Sequence, residues 1–187
     1  MKQADRKMRS VQIRRLTYAA LFLAIAQVLH FITGQIPEIG AMLSPMHIPL
    51  LHCGFICGWP WGLAVGFIAP LLRSVLFGMP AMFPGAVAMA FELAAYGCIA
   101  GWLRQRLPKT NAMVYVILLI AMIVGRIVWG AARLILAGIS GSGFTWAMFL
   151  SGALLNAVPG IILHIILIPI LVIALEKAGL SLNTGRR

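Results

Sequence analysis

The sequence predicts an all-α integral membrane protein, a six-transmembrane-helix bundle with its N- and C-termini in the cytoplasm. Of the 187 residues, 61% are apolar and only 10% are charged, and the mean hydropathy is +0.98. An ordinary soluble domain is roughly half apolar and a quarter charged. The apolar residues also fall in runs separated by breaks that are rich in glycine and proline. Runs of about 20 apolar residues are typical of helices that cross a bilayer.

Six apolar runs give the predicted helices. They occupy residues 16–33, 47–58, 63–77, 86–103, 112–137 and 146–175. The second run is short and ends at the letters WPWG, which predict a turn, and it can borrow length from residues 42–46. In the sixth run, Pro159 and Pro169 are expected to introduce kinks, which a helical bundle tolerates.

The distribution of charge predicts the orientation. There are 15 lysines and arginines against four acidic residues, a formal net charge of +11. The basic residues cluster at the ends of the apolar runs, as the positive-inside rule expects of cytoplasmic flanks, whereas the predicted outer loops carry no Lys or Arg. The flanking residues are Lys2, Arg6, Lys7, Arg9, Arg14, Arg15, Arg104, Arg106, Lys109, Lys177, Arg186 and Arg187. A nucleic-acid partner is therefore not expected.

This topology divides the chain into three parts. Residues 1–15 form a basic cytoplasmic segment, residues 16–177 form the membrane domain, and residues 178–187 form a cytoplasmic tail. The first apolar run lacks a small-residue cleavage site, so it is interpreted as a retained helix. Three cysteines in apolar surroundings, Cys53, Cys57 and Cys98, are expected to be reduced thiols.

Four charged residues at membrane depth are candidates for substrate binding, because such residues are costly and commonly functional. They are Arg73, Glu92, Arg126 and Arg133. Arg126 and Arg133 are seven residues apart and share a helix face. One Glu neutralises one Arg, which leaves a positive excess that suits a carboxylate or phosphate. Alternatively, Arg73 and Arg133 extend to the lipid headgroups, and Arg126 and Glu92 lock the bundle.

Three uncharged candidates complete the predicted pocket. His47, beside an outer loop, could donate or accept a hydrogen bond, Trp129 could stack on a flat ring, and Asn156 could pair with the ring edge. Equally, Trp129 could be bundle core. The other histidines are expected to pack. No metal is predicted, because His47 and His52 are five residues apart, the wrong spacing for one helix face, and no HExxH motif accompanies them.

Two further patterns concern partners. No phosphate-binding loop with its lysine is present, so the chain is not expected to hydrolyse ATP. The leading prediction is a non-catalytic subunit without a cofactor. Ala20 and Ala24 lie four residues apart in the first helix, where small side chains allow another helix to approach closely. That approach could come from a partner subunit or from within the bundle.

The basic N-terminus, the AxxxA pattern in the first helix, the Pro/Gly-rich outer loop and the run MHIPLLHCGFICGWPWGLAVGFIAPLLRSVLFGMPAMFPGAVAMAFELAAYG carry a resemblance over about residues 15–177. In these features the chain resembles the substrate-binding S components of energy-coupling factor (ECF) transporters. The resemblance implies a multi-pass protein of the bacterial plasma membrane that takes up a vitamin. It also implies a membrane coupling subunit and two cytoplasmic ATPase subunits as partners.

The resemblance further implies that Ala20 and Ala24 contact the coupling subunit and that the outer loop, residues 35–44, closes over the ligand. Two other functions remain open from the residues themselves. One is an intramembrane metal-dependent enzyme that uses His47, His52 and Glu92, and the other is a structural membrane subunit. The ligand's charge is open as well: an acid suits the arginines, whereas a neutral heterocycle suits Trp129, Glu92 and Asn156.

Overall fold

The computed structural model describes residues 2–32, 44–143, 145–153 and 157–183. Within these ranges the chain forms seven α-helices and no strand. The segment Met82–Ala86 leads into the fourth helix. It is kinked, because Phe83 has extended backbone angles. The helices are α1 (Lys2–Ile32), α2 (His47–Cys57), α3 (Trp59–Phe77), α4 (Val87–Arg106), α5 (Asn111–Ser140), α6 (Trp146–Ala153) and α7 (Val158–Lys177).

The all-helical membrane class is confirmed. Four stretches of the described residues are long and apolar enough to cross a membrane, and they are Trp59–Phe77, Met82–Arg106, Asn111–Ser140 and Val158–Lys177. On α5 the large apolar side chains of Ile123, Ile127 and Leu134 are about 60% exposed. A water-soluble protein would bury them, whereas a helix that faces lipid presents such side chains outward.

The short helix α2 lies at the centre of the bundle. It has 11 residues, and all but Ile48 are buried. A helix of this length rises about 16 Å, roughly half of the hydrocarbon thickness. The turn before it, at Pro45 and Met46, is buried too. Irregular backbone at this depth is tolerated where protein surrounds it, so the burial of α2 allows a short helix here.

Glycines allow α2, α3 and α4 to approach one another closely. A Cβ atom on Gly97 of α4 would lie 2.8 Å from the Cα of Gly62 in α3, and one on Gly62 would lie 2.7 Å from the Cα of Gly54 in α2. Real Cβ atoms essentially never come this close to backbone. Small residues at helix interfaces allow such backbone contacts, and here they bring α4 against the buried helix α2.

Two predicted boundaries in the first half of the chain differ from the structure. The first helix begins at Lys2, well before residue 16, so the basic segment continues the helix. The letters WPWG form the first turn of α3, because Pro60 lies at a position where a helix needs no backbone N–H. The turn itself falls on Gly58, whose φ of 99° favours glycine.

The predicted sixth helix is two helices, α6 and α7. Pro159 lies in the first turn of α7, where proline is accommodated, whereas Pro169 lies inside that helix as expected. Residues 154–156, which lie between α6 and α7 in the sequence, are outside the described ranges. α6 has only eight residues, about 12 Å of helix, which is too short to cross the hydrocarbon layer alone.

The chain after α7 folds back onto the bundle. α7 ends at Lys177, and Gly179 follows two residues later with a φ of 73°. The backbone N–H of Leu180 donates to the carbonyl of Leu175, and that of Gly179 donates to the carbonyl of Glu176. This pair closes the helix in a Schellman arrangement. The next residues, 180–183, are called the C-terminal strap below. Within it Leu182 is 7% exposed and Asn183 is 1% exposed.

Hydrogen bonds hold the strap to four other parts of the chain. Leu182 N–H donates to the Ile56 carbonyl over 2.9 Å, and the Leu182 carbonyl accepts from Arg15 over 2.7 Å. Asn183 donates through Nδ2 to the Gly101 carbonyl over 3.2 Å, and its own carbonyl accepts from Lys109 over 2.7 Å. The strap therefore joins α1, α2, α4 and the α4–α5 loop at one end of the bundle.

A half-buried ion pair lies near the strap. Arg104 of α4, 1% exposed, donates to both carboxylate oxygens of Glu176 in α7, through Nε over 2.9 Å and through Nη2 over 2.5 Å. A planar guanidinium matches a carboxylate in this two-pronged geometry. The pair gathers a basic residue and an acidic one that are 72 positions apart in the sequence.

Candidate functional site

Glu92 is the centre of a polar cluster inside the bundle. This glutamate lies in an apolar stretch of α4 and is only 2% exposed. Arg126 of α5 places Nη1 2.9 Å from Glu92 Oε1, and Tyr96, one turn further along α4, donates its hydroxyl to the same oxygen over 3.0 Å. A buried carboxylate is tolerated where a counter-charge and hydrogen bonds accompany it, and both are present here.

A glycine on the neighbouring helix leaves room for the Tyr96 ring. The Tyr96 ring occupies the space beside Gly125 of α5, and a Cβ atom there would lie within 2.9 Å of the ring's Cζ. Gly125 immediately precedes Arg126, so one turn of α5 supplies both the space for the ring and the guanidinium. Glu92 and Tyr96 are four residues apart on α4 and therefore lie on the same helix face.

His47, the first residue of α2, reaches the same cluster and is 4% exposed. Its Nδ1 lies 3.1 Å from the Ser44 carbonyl, and its Nε2 lies 3.7 Å from Glu92 Oε1. The ring stacks on His164 of α7 with centroids 5.6 Å apart and an interplanar angle of 23°. The Tyr96 ring is 5.3 Å away. Helices α2, α4, α5 and α7 thus each contribute a side chain.

Two members of this cluster were not among the predicted site residues. Tyr96 follows Glu92 by one helical turn, a spacing that the sequence contains but that the prediction did not use. His164 was predicted to pack, and it does pack, but against His47. No sequence pattern links positions 47 and 164, so only the tertiary structure brings these two imidazoles together.

Arg73 lies apart from the Glu92 cluster in its contacts. It is 3% exposed, and its Nη1 donates to the Gln27 carbonyl of α1 over 3.2 Å. Its guanidinium also lies over the Phe77 ring, 5.3 Å from the centroid. The side chain of Gln27 in turn donates to the Ala69 carbonyl over 3.0 Å. These contacts place Arg73 between α1 and α3 and make it a link between those two helices.

Arg133 and Trp129 form a second group on α5. The Arg133 guanidinium lies 5.9 Å from the Trp129 ring centroid. Trp129 packs against Phe149 of α6, with centroids 6.2 Å apart, and Phe149 stacks on Trp146 at 5.2 Å. The rings fit because Gly152 faces Trp129, where a Cβ atom would lie 2.8 Å from the ring. α6 is therefore held against α5 one to two turns beyond Arg126 along that helix.

The remaining predicted site features have mixed outcomes. Asn156, and the outer loop apart from Ser44, lie outside the described residues. His52 faces Phe22, with centroids 6.3 Å apart, and its Nδ1 lies 2.6 Å from the Ile48 carbonyl. Within the described ranges, no group of three or more His, Cys, Asp or Glu side chains is arranged to hold a metal ion. This geometry gives no support to a metal site shared by His47, His52 and Glu92.

The small residues of α1 divide between two faces. Ala20 and Ala24 are exposed, whereas Ala19 and Ala26 are 3% and 0% exposed and belong to the core. Exposed neighbours of Ala20 and Ala24 on the same helix include Leu21 and Ile25. Among the described residues, the pair predicted to contact another helix is therefore left exposed rather than packed in the core.

Comparison with known families settles the class of protein. A family model described as "ECF transporter, substrate-specific component" matches residues 14–172, most of the chain. The chain belongs to this family. Searches of curated proteins and of solved structures gave no match. The predicted resemblance to S components is confirmed, and the expected role as a membrane transport subunit fits this family.

Proposed function

We propose that this S component captures a vitamin or cofactor precursor from the outer side of the membrane at the cluster around Glu92. The observation that supports this site is the convergence of Glu92, Arg126 and His47 from three helices inside the bundle. Ionisable groups are rare at membrane depth and commonly mark a ligand pathway. Arg133 and Trp129 are proposed to line the ligand's path beyond Arg126. Asn156, which lies outside the described residues, is proposed as a further ligand contact. Arg73 is proposed to contribute to binding indirectly, because its contacts fall on Gln27 of α1 and on Phe77.

The proposed topology has six crossings, with both termini in the cytoplasm. They are made by α1, by the short buried α2 together with the buried turn before it, and by α3, α4, α5 and α7. The strap supports this orientation. Arg15, Arg104 and Lys109 all lie near the strap at one end of the bundle, because each bonds to it or to the end of α7. Basic residues gathered at one end are expected on the cytoplasmic side. His47, at the opposite end of α2 from Ile56, then lies toward the outer side.

Transport requires partners in this proposal. A membrane coupling subunit would dock against the exposed Ala20 and Ala24 face of α1, where small side chains permit close helix contact. Two cytoplasmic ATPase subunits would supply the energy, since the sequence lacks a phosphate-binding loop. The cell membrane of a bacterium is the proposed location.

Purified chain in detergent provides the first test. Its thermal unfolding is measured against a panel of vitamins and precursors, and one compound is expected to raise the midpoint saturably. A ligand that binds only the folded state stabilises it by about 2.7 kcal/mol at a hundred times its dissociation constant. The absence of stabilisation across the panel, with the protein shown to be folded, would contradict ligand capture. Stabilisation by a divalent metal with turnover of a lipid would support an enzyme instead.

A further inference from the structure

The hydrogen bond that His47 makes to the backbone determines which of its ring nitrogens can accept a hydrogen bond from a ligand. Nδ1 faces the Ser44 carbonyl at 3.1 Å. Because a carbonyl oxygen only accepts, Nδ1 carries the proton, and in the neutral imidazole Nε2 then offers a lone pair. Nε2 is buried and has no hydrogen-bond partner among the described residues. Its separation of 3.7 Å from Glu92 Oε1 exceeds hydrogen-bond range.

The negative charge of Glu92 is already balanced. Arg126 Nη1, Tyr96 OH and His47 Nε2 all approach Oε1, and within the described chain the polar contacts of this carboxylate fall on that oxygen. Glu92 and Arg126 together carry no net formal charge. With His47 as the neutral imidazole, the cluster carries no net formal charge and offers two acceptors, the His47 Nε2 lone pair and Glu92 Oε2.

We propose that the ligand presents an uncharged hydrogen-bond donor, such as an amine on a heterocycle, an amide N–H or a hydroxyl, to His47 Nε2 and Glu92 Oε2. This inference rests on the proposed function. It predicts that the part of the substrate next to His47 and Glu92 is uncharged and carries a hydrogen-bond donor rather than an acidic group. Tyr96 and Arg126 act as positioning residues, because they hold Oε1 and leave the second oxygen for the ligand.

Electrostatics separates this class from the alternatives. An acid placed against His47 Nε2 and Glu92 Oε2 would face an imidazole lone pair and a carboxylate, and the Arg126 Nη1 that could offset its charge is held by Glu92. Arg126 Nε, buried without a hydrogen-bond partner among the described residues, can instead donate to an acceptor on the same uncharged ligand. A cation would leave an uncompensated charge, which is costly where water is excluded. An uncharged donor satisfies an acceptor that is buried without a partner, and leaving such an atom unsatisfied costs about 1–3 kcal/mol.

The test uses matched pairs of probes that differ in one acidic group. They are nicotinamide and nicotinate, pantothenol and pantothenate, and biotinamide and biotin, with 4-amino-5-hydroxymethyl-2-methylpyrimidine as an uncharged amine. Thermal stabilisation of the full chain is measured as a function of each probe's concentration. For any pair that binds, the uncharged member is expected to bind at least about tenfold more tightly, in keeping with one lost hydrogen bond.

Two variants of His47 identify the contact. His47→Phe keeps an aromatic ring against His164 but removes the acceptor, and it is expected to weaken binding of the best probe by about 10- to 100-fold. His47→Gln retains a side-chain oxygen that accepts, and it is expected to recover part of the loss. His52→Phe is the matched control, because His52 is on the same helix and also bonds a backbone carbonyl through Nδ1.

The outcomes separate the inference from the proposed function. Tighter binding of the acidic member of a pair would overturn the inference and leave ligand capture standing. Equal weakening by His47→Phe and His52→Phe would overturn it too, since both changes would then act through stability. Failure of every probe to stabilise a folded protein would contradict the proposed function itself. If His47→Phe does not fold, the preference of the unaltered chain within each pair still decides.

Discussion

Glu92 Oε1 and Arg126 Nη1 lie 2.9 Å apart in the interior of the bundle, where they join α4 to α5. This ion pair reduces the positive charge that the arginines of the sequence make available to a ligand. Three arginines and one glutamate at membrane depth predict an excess of positive charge, but Arg126 is committed to Glu92 and Arg73 faces α1. The charge that remains beside the ligand is therefore smaller than the composition of the helices indicates.

Substitutions of Glu92 and Arg126 should have non-additive effects on the free energy of unfolding. Glu92→Gln leaves the guanidinium without its counter-charge, and the free energy of unfolding is expected to fall by about 3–5 kcal/mol. The double variant Glu92→Gln with Arg126→Gln removes both charges and should be more stable than Glu92→Gln alone. Unfolding of the purified variants in detergent measures the coupling. Losses that simply add would show that the two side chains do not interact.

The glycine contact between α3 and α4 should not tolerate a methyl group. Gly97→Ala would place a Cβ atom against the backbone of Gly62, and overpacking of this kind costs about 1–3 kcal/mol or more. Gly138→Ala on α5 is the matched control, because a Cβ atom there meets nothing within 4 Å. The control is expected to be neutral or stabilising by about 0.5–1 kcal/mol. Equal effects in thermal unfolding would refute the close helix contact.

The C-terminal strap should contribute to stability through Leu182. This side chain is 7% exposed, and Leu182→Ala is expected to lower the unfolding free energy by about 2–3 kcal/mol through the cavity it leaves. Leu180→Ala, in the same strap but only partly buried, serves as the comparison and should cost less. Limited proteolysis gives an independent readout, since a released strap would expose the tail to cleavage. An unchanged midpoint for Leu182→Ala would mean that the strap does not pack as described.

The exposed alanines of α1 should affect assembly rather than folding. Ala20→Trp and Ala24→Trp are expected to reduce copurification of the coupling subunit and ATPases at least about tenfold, because a large side chain prevents close approach of helices. Stabilisation of the isolated chain by its ligand should be unchanged. Ala131→Trp, an exposed position on α5, controls for a bulky residue on another face. Loss of assembly in that control as well would indicate a general defect.

Where helix boundaries depend on local chemistry, the sequence predicted them closely. The fifth apolar run, 112–137, corresponds to α5. That helix begins after Thr110, whose side-chain hydroxyl accepts from Met113 N–H, and it ends at Ser140, just before Gly141. α3 likewise ends just before Gly78 and α7 ends two residues before Gly179, and both glycines have a positive φ. Errors occurred where one local signal has two meanings. Proline in WPWG predicted a turn but begins a helix, because the first turn of a helix and a loop both accommodate a missing N–H.

The sequence by itself determined the membrane class, the family and the identity of the costly polar residues, because each of these follows from composition, local periodicity or residue order. Only the tertiary structure decided which of those residues meet. Glu92, Arg126, His47 and His164 come from four helices, and Arg73 turns to α1 instead. A helical period fixes which face of its own helix a side chain occupies, but not which neighbour packs against that face. That choice depends on packing such as the Gly62 and Gly97 contact, which involves residues far apart in the chain.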